Sequence, residues 1–239
     1  MRLHVIQHVP YEGPALIGEW AADRGHELTS SLALVEEYPA CNEVDLLVVM
    51  GGPMDADDEV ASPWLRAEKH YVAECIAAGR GVLGVCLGAQ ILAEVLGGTV
   101  RRNQHKEIGW YAVEKTPDAS AERLLSAWPD CFVAGQWHGD TFDLPDGFEP
   151  LLSSEACANQ AFVFEDRVVG LQFHLEWTEE SLGMLIEACR AELATPGLWM
   201  MSVGCACSYW PRVKVRTNPS TVLGYPHSIG GLLMQASGM

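Results

Sequence analysis

The sequence predicts an α/β fold: an open, mostly parallel sheet covered by helices. Three observations carry this expectation. Residues 45–50 (DLLVVM) and 82–85 are apolar on both faces, as strands buried between two layers are. Helix-length amphipathic segments separate such runs. Proline and glycine punctuate the helical segments, with Pro63 in a first turn, Gly79 as a stop and the pair Gly97-Gly98 as another. Strands alternating with helices in this way line up in parallel, with the helices returning over the sheet.

In chain order, residues 3–6 read as the first strand and 15–22 as the first helix. The strand at 45–50 is followed by a helix at 63–78, a strand at 82–85 and a helix at 87–96. From residue 98 to about 172 the pattern changes to shorter strand-like runs at 110–114, 131–133, 161–164 and 168–173. A final helix is expected at 179–194. No internal repeat or linker divides this stretch, so residues 1–195 read as one domain.

Residues 196–239 differ in composition. All 32 acidic residues lie at or before Glu192, and the only later charges are Arg212, Lys214 and Arg216. Cys205, Cys207 and Trp210 stand there among Gly, Ser and Pro without helical or strand periodicity. This tail reads either as a disordered extension or as out-of-frame translation of an ordinary C-terminal helix.

The formal net charge of −17 repels phosphate backbones and anionic headgroups. Nucleic acid and membrane surfaces are therefore not expected partners. No run approaches the ~18 apolar residues of a membrane span, and the N-terminus lacks the apolar stretch of a signal peptide. Without an export signal, the eight scattered cysteines are expected to be reduced thiols in the cytoplasm. No cofactor is called for. The acidic run Asp55, Asp57, Asp58 and Glu59 lacks cation-loop spacing and reads as a solvated lip. Cys205-x-Cys207 has no second Cys or His pair nearby, so no metal site is assigned. His4, His8, His26, His70 and His105 read as surface or core histidines.

The chemistry concentrates in three places. In GVLGVCLGAQ (residues 81–90) an apolar strand runs into Cys86 and a helix begins at once, with Gly84 and Gly88 flanking the turn. A sharp strand-to-helix turn needs small neighbours. A cysteine at a helix N-terminus is favoured as thiolate by the dipole and the free N–H groups. Alone, Cys86 also reads as a buried strand cysteine. Gln172-Phe173-His174-Leu175-Glu176 ends another apolar strand, and in an extended chain His174 and Glu176 point to one side. A carboxylate so placed can orient an imidazole and stabilise its protonated form. Gly51-Gly52-Pro53 follows the DLLVVM strand, where a Gly-Gly turn can aim the N–H of Gly52, beside that of Leu87, at a developing oxyanion. All three lie at C-terminal strand ends, where open parallel sheets bind ligands.

Together these segments resemble class I glutamine amidotransferases. Gly84-Val85-Cys86-Leu87-Gly88-Ala89-Gln90 is similar to the G-x-C-x-G-x-Q nucleophile elbow of that family. Gly51-Gly52-Pro53 resembles its oxyanion loop, and Gln172–Glu176 its Q-F-H-P-E motif. Trp137-His138-Gly139-Asp140 resembles the S-H-G-D segment of the amidotransferase domain of GMP synthases. The resemblance spans roughly residues 1–195. It implies a flavodoxin-like open sheet with helices on both faces, and a catalytic triad of Cys86, His174 and Glu176. It further implies an oxyanion hole at Gly52 and Leu87, and substrate-binding roles for Gly51, Pro53, Gln90 and His138. Lys106-Glu107-Ile108-Gly109-Trp110 resembles a segment of stand-alone members, and reads equally as cleft lining or structural strand. Two departures stand out: Leu175 occupies the usual proline position, and Trp137 replaces a small residue.

The implied substrate is glutamine or a γ-glutamyl small molecule. The sequence carries no G-x-x-x-x-G-K-[ST] phosphate loop, and no appended synthetase domain is expected. That leaves two enzymatic readings: ammonia supply to a separate synthase subunit, or independent γ-glutamyl hydrolysis. A binding module with a vestigial site is the third.

Overall fold

The computed structural model describes residues 1–33, 36–117, 119, 123–126 and 128–193. The atypical tail at 196–239, with Cys205, Cys207 and Trp210, lies outside the described residues.

The chain alternates strands and helices through its first half: β1 (Arg2–Gln7), α1 (Leu16–Asp23), β2 (Glu27–Leu32), β3 (Leu46–Val49), α2 (Leu65–Ala77), β4 (Gly81–Val85) and α3 (Leu87–Val95). Then follow β5 (Thr99–Lys115), β6 (Cys131–Asp143), β7 (Leu152–Ser153), β8 (Ala161–Phe164) and β9 (Val168–Leu171). Helices α4 (Glu179–Ala188) and α5 (Arg190–Leu193) close the described chain. The strands form one sheet in the order β2-β1-β3-β4-β9-β8-β7-β5-β6. The half built from β2, β1, β3, β4 and β9 is parallel. From β9 to β6 every pairing is antiparallel. The sheet is therefore mixed, and the change of direction follows the shift in pattern after residue 98.

Alternation along the parallel strands sends side chains to two cores. Leu3, Val5, Leu46, Val48, Leu83 and Val85 pack with Ile17 and Trp20 of α1 on one face. Ile6, Leu47, Val49 and Val82 pack with α2 and α3 on the other, through Leu65, Val72, Ile91 and Leu92. These strands are buried on both sides, which is why they read as unbroken apolar runs.

Strand β2 (ELTSSL) was not expected from its sequence. It is an edge strand with mostly polar, solvent-facing residues, so no apolar pattern marks it. Strands β5 and β6 are longer than the runs at 110–114 and 131–133. Their outer halves extend the hairpin past a register shift between Arg102 and Glu107. The final helix starts as expected, with Thr178 Oγ1 accepting from the Ser181 N–H at 3.1 Å. It breaks at Cys189, and the short α5 sets Glu192 over the cleft.

Candidate active site

Strand β4 passes directly into α3 at Cys86. The cysteine sits at φ 54°, ψ −109°, in the left-handed region that costs a side-chain-bearing residue roughly 1–3 kcal/mol. Close packing enforces the turn. A Cβ on Gly84 would lie 2.5 Å from the Gly88 carbonyl oxygen, and one on Gly88 would lie 2.0 Å from the Val49 carbonyl oxygen. Only glycines let α3 rest on β3 and β4 this tightly. The Cys86 backbone N–H is bonded to Leu171 of β9, and its thiol lies 3.7 Å from the Trp137 carbonyl oxygen. Leu87, the first residue of α3, carries one of the N–H groups that a helix start leaves without an intrahelical acceptor.

His174 follows β9 and is tied to β6 by a two-way backbone bridge with Gly135. Its Nδ1–H donates to Glu176 Oε1 at 2.6 Å, and the other carboxylate oxygen accepts from the Leu175 N–H at 3.0 Å. Leu175, in place of the proline of the resembling motif, thus supplies a donor that proline lacks. The His174 ring stacks on Trp177 with centroids 4.3 Å apart and an interplanar angle of 16°. His174 and Glu176 are each only 2% exposed, and Cys86 6%. Burial pushes the His174 ring toward neutrality. The Glu176 carboxylate and a hydrogen bond with Cys86 outweigh it and hold the ring well above the ordinary histidine value. Folding thus brings the His174–Glu176 pair, 88 and 90 residues along the chain from Cys86, into electrostatic contact with its thiol.

Gly51, Gly52 and Pro53 follow β3 on the same edge. Gly52, Pro53, Cys86, Gln90 and His138 all line one cavity of about 380 Å³. Gly51 lies against the ring, since a Cβ on it would be 3.4 Å from His174 Cε1. The Gln90 side chain lies within the wall, its Nε2 donating to Gln172 Oε1 at 3.2 Å and to the Asp140 carbonyl at 3.3 Å. His138 Nδ1–H donates to the Asp140 carbonyl at 2.7 Å, and its Nε2 lies 3.0 Å from Glu107. Asp55 of the acidic lip also faces the cavity, where Arg102 pairs with Asp55 and Asp140.

Several cavity residues carried no signal in the sequence. Glu12 projects onto the loop, its Oε2 occupying the place a Gly51 side chain would take. Burial raises its carboxyl, against the pull of His174 and His8. Glu192 accepts from the Trp137 indole at 2.8 Å and pairs with Lys106 across the opening. Glu12 and Glu192 are solitary acids with no motif around them, so proximity to the thiol emerges only on folding. Lys106 lines the cavity, whereas Glu107 and Ile108 are buried, so that segment is both cleft lining and structural strand.

Among the described residues, Glu107, His138 and Cys157 have potential ligand atoms within 4.8 Å of one another. The Glu107 carboxylate already meets Ser154 Oγ at 2.8 Å, Gln160 Nε2 at 2.8 Å and the His138 ring. Those contacts occupy the lone pairs a cation would use. Five described cysteines, Cys41, Cys75, Cys86, Cys157 and Cys189, are free thiols. No helix among the described residues is long and apolar enough to cross a membrane.

Comparison with known proteins agrees with this architecture. The family described as glutamine amidotransferase class-I matches residues 21–188. The glutamine amidotransferase-like protein YfeJ of Salmonella typhimurium is 34% identical over 199 residues, covering 81% of this chain and 83% of that protein. A glutamine-hydrolyzing GMP synthase of Aliivibrio fischeri is 33% identical over 163 residues, covering 65% of this chain but only 29% of its own length. The crystal structure of a glutamine amidotransferase from Thermotoga maritima superposes with a TM-score of 0.80 at 30% identity, covering 100% of this chain and 99% of that one. One from Methylobacillus flagellatus gives a TM-score of 0.74 at 28% identity, covering 99% and 92%. With the elbow, the His-x-Glu strand end and the Gly-Gly loop gathered on one sheet edge, and with these likenesses, the chain belongs to the class I glutamine amidotransferase family.

Proposed function

We propose that this protein hydrolyses the side-chain amide of glutamine or of a γ-glutamyl compound through a γ-glutamyl thioester at Cys86. The observation that carries the reading is the Cys86 thiol on the wall of a cavity it shares with Gly52, electrostatically coupled to a His174 ring that is hydrogen-bonded to Glu176 at 2.6 Å. The Cys86 thiolate, formed by proton transfer to His174, attacks the amide carbonyl carbon. The oxygen takes up the electron pair and is held by the N–H groups of Gly52 and Leu87. The C–N bond breaks as the imidazolium gives its proton to the departing ammonia or amine. Water then loses a proton to His174 and adds to the thioester. The C–S bond breaks, and the acid product leaves with the thiolate restored. Glu176 keeps Nδ1 protonated throughout, so that Nε2 faces the thiol. Gly51 and Pro53 shape the loop, and Gln90 and His138 hold the wall that encloses the substrate. The proposed catalytic unit is residues 1–195, and it works in the cytoplasm without a cofactor.

A second reading rests on the GMP synthase likeness, which is confined to under a third of that longer protein. In it, the chain supplies ammonia to a separate synthase subunit. The test is a panel of glutamine, glutathione and γ-glutamyl amines, with ammonia and amine release measured for the wild type and for C86A and C86S. Loss of turnover in both variants is expected. Undiminished turnover in C86A removes the mechanism. Ammonia from free glutamine favours the synthase-linked reading, and amine from a γ-glutamyl conjugate favours independent hydrolysis. A wild type inactive on the whole panel, and unlabelled at Cys86 by a diazo-ketone glutamine analogue, marks a vestigial binding module.

A further inference from the structure

Behind the Gly51-Gly52 loop lies a buried ionisable pair that the steps above leave unused. His8, just beyond β1, is 1% exposed, and Glu68 on α2 is 0% exposed. His8 Nδ1–H donates to the Gly51 carbonyl oxygen at 3.0 Å, and Nε2 meets Glu68 Oε1 at 3.0 Å. Both ring nitrogens thus face acceptors. Burial disfavours the charged ring, but Glu68 and the Gly51 carbonyl outweigh it and hold His8 above the ordinary histidine value. Tyr38 reaches the second Glu68 oxygen at 3.5 Å, and the Trp64 ring packs 5.6 Å from that of His8. A buried ion pair is often no more stable than apolar side chains of the same volume, so stability alone gives little reason to keep one here.

The peptide plane supplies a reason. No described peptide bond is cis. In a planar trans unit the C=O of one residue and the N–H of the next point in opposite directions. Anchoring the Gly51 oxygen to His8 on one side therefore commits the Gly52 N–H to the other. Gly52 is wedged between His8 and the nucleophile's neighbour. A Cβ on it would lie 2.9 Å from His8 Cβ and 3.0 Å from Leu87 Cδ2. A Gly-Gly unit has little intrinsic preference for either orientation of its peptide, so something outside it must choose. We propose that His8, braced by Glu68, is a positioning residue that fixes the Gly51–Gly52 peptide with its N–H presented to the oxyanion. The inference rests on the assignment of Gly52 to the oxyanion hole.

The experiment compares H8L, H8N and the double variant H8L/E68M with wild type. The double variant removes both partners, so no charge is left buried and unpaired if H8L alone folds poorly. Two readouts are taken: steady-state turnover of the best γ-glutamyl substrate, and the rate at which iodoacetamide alkylates Cys86, which needs no oxyanion hole. H8L and the double variant are expected to lose about 10- to 100-fold in kcat with KM within about twofold, short of the roughly 10²- to 10³-fold loss of a whole donor. Alkylation of Cys86 should stay within about threefold of wild type, because the thiol's own surroundings are unchanged. H8N keeps an N–H donor near the Nδ1 position and should recover most of the loss. Wild-type kcat in the folded double variant, parallel falls in turnover and alkylation, or an H8N as slow as H8L would each overturn the proposal. A wild type that turns over no γ-glutamyl substrate overturns the reading of the site itself, and the positioning role with it.

Discussion

Replacing Glu176 by Gln probes the centre of the proposed chemistry with almost no change in shape. In the native site one carboxylate oxygen accepts from His174 Nδ1 and the other from the Leu175 N–H. A glutamine has one oxygen and one NH₂ for these two donors. If its oxygen takes the Leu175 N–H, its NH₂ faces Nδ1 and forces that nitrogen to accept. The ring is then held as the Nε2–H tautomer, which cannot take the thiol proton. If the amide is reversed, two donors oppose each other at Leu175 in a site without solvent, at a cost of about 1–3 kcal/mol. Either arrangement also removes the negative charge that raises His174. The equivalent carboxylate-to-amide change in a serine triad costs about 10⁴-fold. A Cys–His pair leans less on its third member, so the expected loss in kcat here is about 10³-fold, or roughly 4 kcal/mol of barrier.

The pH dependence has a definite sign. A histidine held above its ordinary value contributes stability that is complete below about pH 6.5 and is lost as pH rises through its native value. In wild type the alkaline limb of kcat/KM, where the imidazolium proton is lost, should therefore lie above the ordinary histidine range. In E176Q it should move to lower pH. The assay is ammonia or amine release across pH, beside the pH profile of Cys86 alkylation. Retention of more than about a tenth of wild-type kcat with an unmoved alkaline limb would refute the role given to the carboxylate.

Gly88→Ala would place a Cβ 2.0 Å from the Val49 carbonyl oxygen and 2.7 Å from its carbon, both backbone atoms. Helix α3 must then lift from β3, and a loss of about 3 kcal/mol, or roughly 10 °C in Tm, is expected by calorimetry. Glu192→Ala frees the Trp137 indole and Lys106 at the cavity mouth, so KM should rise several-fold while kcat stays within about threefold. A fall in kcat without a change in KM would count against Glu192 acting on substrate binding at the cavity mouth.

Much of this molecule was legible in its residues, for physical reasons that are local. Strands β3 and β4 announce themselves because burial on both faces demands an unbroken apolar run. The turn at Cys86 is legible because its packing tolerates no side chain at Gly84 or Gly88; the His174–Glu176 pair was expected from an extended strand end, but β9 stops at Leu171 and a bend at Leu175 brings the two side chains together instead. Strand β2 was not legible, because an edge strand needs no apolar pattern. Nor were the placements of His8, Glu12, Trp177 and Glu192. His8 reads as one of several histidines until β1, β3 and α2 bring it between the Gly51 carbonyl and Glu68, 43 and 60 residues away. Pattern along the chain determines which segments are strands, helices and tight turns. Which solitary polar groups share a buried volume is decided only by tertiary packing, because that depends on distances between elements that no local spacing encodes.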